Sequence, residues 1–286
     1  MIGNIVYKIG INGWLGFLPD KLYLKIMYYC RFGRRLNFDE PLYYNEKLQW
    51  LKINDKNPIY HKYVDKYEVK SIVSNLIGEK YVIKTLGIWN NVDDIDFNKL
   101  PEKFVLKTTH DSGGVVICAD KKNMNINQVK KKLYKSFNRN YFNIGREWPY
   151  KNVAPRILAE EYIGDGYSAP NDYKFFCFNG VIDSIMVCTG REKGHPDYYF
   201  YDCNWNRIFY QHESLENDDN IEKPENLSEM IGIVEILAKE FKVIRVDLYN
   251  VNGRIFFGEY TFFNQSGFDT DITENTDKYW GSKINL

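Results

Sequence analysis

Two runs of alternating apolar residues, each interrupted by Asn-Gly, constrain this chain more than any other feature. Asp172 to Phe178, Asn179-Gly180 and Val181 to Val187 make one; Val243 to Tyr249, Asn252-Gly253 and Ile255 to Thr261 make the other. Asn-Gly supplies the two left-handed residues of a tight hairpin turn, so each run predicts a pair of antiparallel strands. Further short strands read at Phe104 to Lys107, Val115 to Cys118 and Ile157 to Ile163. Ahead of them the spacing is helical over Lys21 to Arg31, Asn45 to Ile53 and Lys62 to Leu76, with one short strand near Tyr81 to Lys84. Helices are also predicted at Ile126 to Phe137 and Leu227 to Glu240. The class is α+β or α/β, with antiparallel sheet gathered in the second half.

Of the 286 residues, 38 are Lys or Arg and 38 Asp or Glu, and this neutrality excludes a protein held to nucleic acid by nonspecific charge. No nucleic-acid partner is expected. The apolar stretch Ile9 to Leu18 is half the length of a bilayer span, so no transmembrane helix is expected. The first twenty residues lack the pattern of a secretory signal; a cytoplasmic location, at most peripheral to the inner membrane, is expected. Five cysteines without a Cys-x-x-Cys pair read as small buried hydrophobes. The aromatic fraction, 16%, reads first as core.

Three groups of residues carry candidate chemistry. The loop Thr109-His110-Asp111-Ser112-Gly113-Gly114 joins two strands, and its glycines allow backbone amides to turn toward phosphate oxygens, with Lys107 beside them. It also fits a plain hairpin turn. No Walker A loop and no G-x-G-x-x-G occurs. The second group is Arg245-Val246-Asp247 with Glu259-Tyr260-Thr261 on the last hairpin. A two-residue Asn252-Gly253 turn pairs Val246 with Glu259 and sends Asp247 and Glu259 to opposite faces. A three-residue loop, Val251-Asn252-Gly253, pairs Arg245 with Glu259 and leaves the two carboxylates diagonal neighbours on one face, where metal ions bridge them. The three-residue loop is expected, because charges among apolar neighbours are usually paired or metal-bound. The plain alternative is an ion pair of Glu259 with Arg245. Third, Glu160-Glu161-Tyr162-Ile163 ends a strand before Gly164-Asp165-Gly166, a hinge-like break, and Asp172 and Lys174 share a face of the next strand, with Arg191 beyond it.

The wording of the chain resembles the TupA-like ATP-grasp family over nearly its whole length. The match runs through Leu18-Pro19-Asp20-Lys21-Leu22-Tyr23, Tyr44-Asn45-Glu46-Lys47-Leu48-Gln49-Trp50-Leu51-Lys52, Val64-Asp65-Lys66-Tyr67 and Phe104-Val105-Leu106-Lys107 with Ser112-Gly113-Gly114. It continues through Gly145-Arg146-Glu147-Trp148, Ala159-Glu160-Glu161-Tyr162, Asp172 to Gly180, and Arg245-Val246-Asp247-Leu248-Tyr249. The resemblance implies an ATP-grasp fold: an N-terminal α/β lobe over 1–101, a small lobe over 102–166 and a C-terminal lobe over 167–286, the last two clamping the nucleotide. It implies an ATP-dependent ligase of bacterial capsule or surface-polysaccharide assembly. Such a ligase joins a uronic acid, nucleotide-linked or glycan-linked, to an amino acid or amine through an acyl phosphate. By position, Lys107, Asp172 and Lys174 would serve the nucleotide's phosphates, Ser112, Gly113 and Gly114 would cover them, and Glu160, Glu161, Tyr162 and Ile163 would form the adenine-side hinge. Asp247 and Glu259 would hold Mg2+, and the catalytic residues would be Lys174, at the phosphates, and Arg191, stabilising the acyl-phosphate oxyanion. The chain departs from the family where an asparagine usually follows the metal-binding glutamate by two: Thr261 stands there, and Phe263-Asn264-Gln265-Ser266-Gly267 replaces a Pro-Gly-Ser-Gly loop, with Asn264 as the substitute amide.

Two other functions compete. Asp247 and Asn252 have the five-residue spacing of a kinase catalytic loop, though no Asp-Phe-Gly follows. A non-catalytic carbohydrate- or nucleotide-binding protein fits the aromatic excess. The four histidines have no metal-ligand spacing, and only His110 lies on a candidate loop.

Overall fold

The computed structural model describes residues 2–164, 170–190, 196–212 and 220–286. Five helices come first: α1 (Ile2–Ile11), α2 (Asp20–Phe32), α3 (Tyr44–Asn54), α4 (Tyr60–Val64) and α5 (Glu68–Ile77). The single helix predicted over Lys62 to Leu76 is broken in two. Asp65 is the reason: its carboxylate accepts from the amides of Tyr67 (2.8 Å) and Glu68 (3.0 Å), starting α5 afresh, and Arg156 pairs with it at 2.8 Å. The strand expected near Tyr81 to Lys84 begins later, as β1 (Thr85–Trp89), because Glu79–Tyr81 closes a 3-10 turn.

β1 joins a four-stranded antiparallel sheet with β2 (Phe104–Thr108), β3 (Val115–Cys118) and β4 (Ile157–Glu161), in the order β1-β4-β2-β3. Helix α6 (Ile126–Phe137) covers it, placing Val129 and Leu133 against Phe104, Leu106 and Ile157. A short α7 (Phe142–Gly145) follows α6. The second sheet has six antiparallel strands: β5 (Asp172–Phe178), β6 (Val181–Thr189), β7 (Asp197–Tyr201), β8 (Arg207–Ile208), β9 (Val243–Val251) and β10 (Arg254–Thr261), in the order β10-β9-β5-β6-β7-β8. The apolar side of α8 (Leu227–Ala238) packs into the core of this sheet. So does α9 (Glu274–Lys283), whose Trp280 is fully buried against Phe176 (ring centroids 4.7 Å) and Tyr44 (5.2 Å). The aromatic excess is thus spent largely in the core.

Both Asn-Gly pairs turn hairpins of two residues, with Asn179 and Gly180 at φ 51° and 78° and Asn252 and Gly253 at 51° and 76°. The expected three-residue loop is therefore wrong, since Val251 pairs with Arg254. The consequence feared from a two-residue turn does not follow either. A bulge between Phe257 and Glu259 shifts the ladder by one residue at Gly258, so Glu259 pairs with Asp247 instead of Val246. The carboxylates face the same way, directly opposed and not diagonal.

Candidate active site

The second sheet carries a row of charge across three adjacent strands. Lys174 on β5 lies opposite Asp247 on β9, which lies opposite Glu259 on β10. Directly opposed residues share a face, so register alone aligns them. Lys174 Nζ donates to Asp247 Oδ2 and stands 2.6 Å from Asp172 Oδ2. Arg245, two residues along β9, donates to both Asp247 oxygens at 2.7 and 2.8 Å and to Asn264 Oδ1 at 2.6 Å, and reaches Glu259 at 3.7 Å. Burial alone would raise the Asp247 carboxyl, but Arg245 and then Lys174 outweigh it and hold it below the ordinary carboxylate range. Asp172, Lys174 and Asp247 are buried, whereas the Glu259 side chain is 45% exposed and open to a ligand.

The first sheet supplies the facing wall. On β4, Glu160 is held between Lys70 of α5 (2.5 Å) and Lys107 of β2 (2.6 Å), and the two ammonium groups keep its carboxyl low against the pull of burial. The loop after β2 is braced from inside: Asp111 accepts from the hydroxyls of Thr108 and Ser136, and Thr108 N donates to Gly114 O at 2.9 Å. Gly113 has φ 96°, and a Cβ on Gly114 would fall 1.8 Å from Thr108 Oγ1, so both glycines are required by the fold of the loop. Ser112 and Gly113 are left exposed at its tip. His110 is buried edge-on to Phe137 and turned away from that tip, with burial lowering its pKa.

Lys66 joins the two walls. Its Nζ donates to Asp111 O on the loop, and the charge of Glu259 acts on it from the other sheet. Burial lowers its pKa, against the raising effect of Glu259 and Asp111. Burial raises the Tyr141 hydroxyl pKa, with Ser112 and Glu259 both acting on it. The loop and the charged row are therefore two sides of one cleft. Beside it, a cavity of about 370 Å³ runs from Lys174 and Arg245 toward Asp269 and Asp271, walled by Met186 and Phe200.

Of the residues singled out in the sequence, Lys107 and Glu160 meet on the first sheet, Asp172, Lys174, Asp247 and Glu259 gather on the second, and Ser112, Gly113 and Gly114 form the loop that Lys66 holds through Asp111. Glu161 is exposed, and Tyr162 and Ile163 follow it half-buried beyond the strand end. Asn264 stands between Arg245 and Asp269, so its amide oxygen meets a guanidinium. Arg191 lies outside the described residues, as do Asp165 and Gly166 of the expected hinge. Asn252 sits in the hairpin turn, at the end of β9 away from Asp247, so the kinase-like spacing does not converge. Lys66 and Lys70 were given no role by sequence reasoning. Their signal was two lysines four apart across a helix start, and Asp65 is what makes that start.

A family model described as TupA-like ATPgrasp matches residues 46–285. The chain belongs to the TupA-like ATP-grasp family. No match is found among curated proteins. Among solved structures, this TupA-like chain resembles D-alanine–D-alanine ligase from Bacillus anthracis complexed with ATP, at 15% identity and a TM-score of 0.40, covering 70% of this chain and 54% of that one. It also resembles L-amino acid ligase from Bacillus licheniformis, at 13% identity and a TM-score of 0.48, covering 88% and 57%. D-cycloserine synthetase matches at 10% identity and a TM-score of 0.46, covering 83% and 77%. The TupA-like chain spans little more than half the length of the first two.

The carboxylates of the TupA-like site suit a hard cation. Asp247 and Glu259 stand directly opposite each other on β9 and β10, carboxylates of the kind Mg2+ takes together with phosphate oxygens and water, although Arg245 and Lys174 hold both Asp247 oxygens here. Among the described residues no group of three or more His, Cys, Asp or Glu could hold a metal by itself. These donors fit an ion that arrives with a polyphosphate.

Proposed function

We propose that this protein is an ADP-forming carboxylate–amine ligase of bacterial surface-polysaccharide assembly, joining a uronic acid to an amino acid or small amine. The observation that carries the reading is the row Lys174–Asp247–Glu259 set against the glycine loop and Lys66. ATP lies in that cleft, with Ser112, Gly113 and Gly114 over its phosphates and Lys66, Lys107 and Lys174 neutralising them. Glu160 to Ile163 take the adenine side, Glu160 also fixing Lys70 and Lys107. Asp247 and Glu259 hold Mg2+, which when bound spreads the charge of the transferred phosphoryl group. For Mg2+ to reach Asp247, both Lys174 and Arg245 would have to yield the carboxylate oxygens they hold in this structure.

An oxygen of the uronate attacks the γ-phosphorus, the bond to the β-phosphate oxygen breaks, and ADP leaves. The amine then attacks the acyl-phosphate carbon, inorganic phosphate departs and the nitrogen loses a proton. Arg191 is assigned to the oxyanion of that second step by the family resemblance. The cavity beside Lys174 and Arg245 is of a size for one amino acid or one sugar. Consumption of ATP goes with a cytoplasmic site of action, and no described helix is long and apolar enough to cross a membrane.

The test incubates the protein with Mg-ATP, a panel of nucleotide-linked uronic acids and pooled amino acids and amines, followed by mass spectrometry and a phosphate assay. A uronate and an amine joined with loss of water, together with ADP and free phosphate, is the expected result. ADP with a phosphorylated acceptor and no free phosphate makes it a kinase and overturns the reading.

A further inference from the structure

Helix α1 carries large apolar side chains on both of its sides. Its glycines face the protein: Gly10 is buried where a Cβ would fall 2.2 Å from Met27 Sδ, and a Cβ on Gly3 would meet Cys30 at 3.5 Å. Tyr7 and Ile11 also pack inward, whereas Ile2, Ile5 and Ile9 are exposed along the other side at helical spacing. Beyond the helix Trp14 and Phe17 are 76% and 80% exposed. Ile5, Lys8, Ile9, Asn12 and Trp14 line one open groove of about 370 Å³. Single exposed apolar residues need no explanation, but five large ones with two aromatics among them form a patch.

Charge separates the candidate occupants. The first 35 residues hold six Lys and Arg against one acid, Asp20, in a chain that is neutral as a whole. Asp20 is itself taken by Arg146 at 3.1 Å. Lys8 sits in the groove, and Lys21 and Lys25 are exposed on α2. A second copy docked patch to patch would set two basic segments against each other. An anionic bilayer instead accepts the apolar side chains at its acyl boundary, Trp14 at the headgroup level and the lysines at its phosphates. All of this precedes residue 46, where the family match begins.

We infer that α1 and the segment through Phe17 form a docking surface for an anionic lipid bilayer, lying in its interface without crossing it. The helix, at 10 residues, is too short to span. The inference is independent of the ligase reading, and its test does not use catalysis.

The test is flotation of the full chain with phosphatidylcholine vesicles containing or lacking phosphatidylglycerol. The protein is expected to float with the anionic vesicles only, and less at high salt. Trp14→Ser with Phe17→Ser abolishes flotation, while Lys8→Glu weakens partitioning about fivefold or more. These side chains are exposed, so the variants keep the wild-type melting temperature, which separates lost docking from lost folding. Failure of the wild type to float with anionic vesicles, equal flotation with neutral ones, or flotation of the double variant at the wild-type level overturns the inference. A dimer in sedimentation that Trp14→Ser dissociates, without flotation, assigns the surface to a second copy and overturns it as well.

Discussion

At the scale of single residues the site divides by burial into groups that hold the protein together and groups that do not. Asp247 is buried with Lys174 and Arg245 on its oxygens, so Asp247→Asn leaves two buried cations undercompensated. It is expected to cost about 3 kcal/mol in thermal or urea unfolding as well as abolishing turnover. Glu259 is half exposed and makes one long contact to Arg245 at 3.7 Å. Glu259→Gln is expected to leave stability within about 0.5 kcal/mol of wild type while lowering kcat by about 100-fold or more. A full rate in that variant would remove the metal assignment. Lys66 makes the third case. Because burial lowers its pKa, its charge is lost at a lower pH than that of a surface lysine. The KM for ATP is therefore expected to rise as alkaline pH is approached, and Lys66→Arg, which stays charged, should flatten that rise.

At the scale of elements, local chemistry and long-range placement separate cleanly. The Asn252-Gly253 turn needs two positive φ angles, and the dipeptide announces a hairpin but not whether its loop has two residues or three; Gly253→Ala is expected to cost about 1 kcal/mol without touching catalysis. The bulge at Gly258 had no such announcement. A strand glycine permits a bulge but does not require one, and only the packing of β9 between β5 and β10 selects it. Gly114 is the converse: the loop around it was legible as glycine-rich, but its contact with Thr108 Oγ1 was not. Gly114→Ala is expected to displace the loop and raise the KM for ATP about tenfold or more with a smaller change in kcat, read from initial rates. The split of α4 from α5 was missed for a related reason. Apolar periodicity runs on through Asp65, whose two backbone hydrogen bonds and ion pair with Arg156 override it.

At the scale of the whole molecule, segments far apart in sequence meet around buried charge. Asp269 accepts from Asn264, Gln265 and the amide of Asp271, and Asn45 of α3 binds its backbone from across the chain. Burial pushes its carboxyl from 3.8 up to about 6. The folded state therefore binds this proton more tightly than the unfolded chain. Its contribution to stability is complete below pH 3.8 and is lost as pH rises through about 6. Over the window from pH 6 down to 4 this group alone should raise stability by about 2 kcal/mol, against the trend of the paired carboxylates Asp247 and Glu160. A carbon-13 titration of the Asp269 carboxyl reads it directly, and a midpoint near 4 would refute it. By itself the sequence determined α2, α3, α6 and α8, the strands of both hairpins and, through a collinear series of motifs, the TupA-like ATP-grasp family, because turn residues, periodicity and motif spacing act over a few neighbours. The tertiary structure decided that Glu259 faces Asp247, that Lys66 binds the loop within electrostatic reach of Glu259, and that α1 leaves Ile2, Ile5 and Ile9 outward. Each of these depends on which surfaces pack together, and packing is set by contacts that no local stretch of sequence contains.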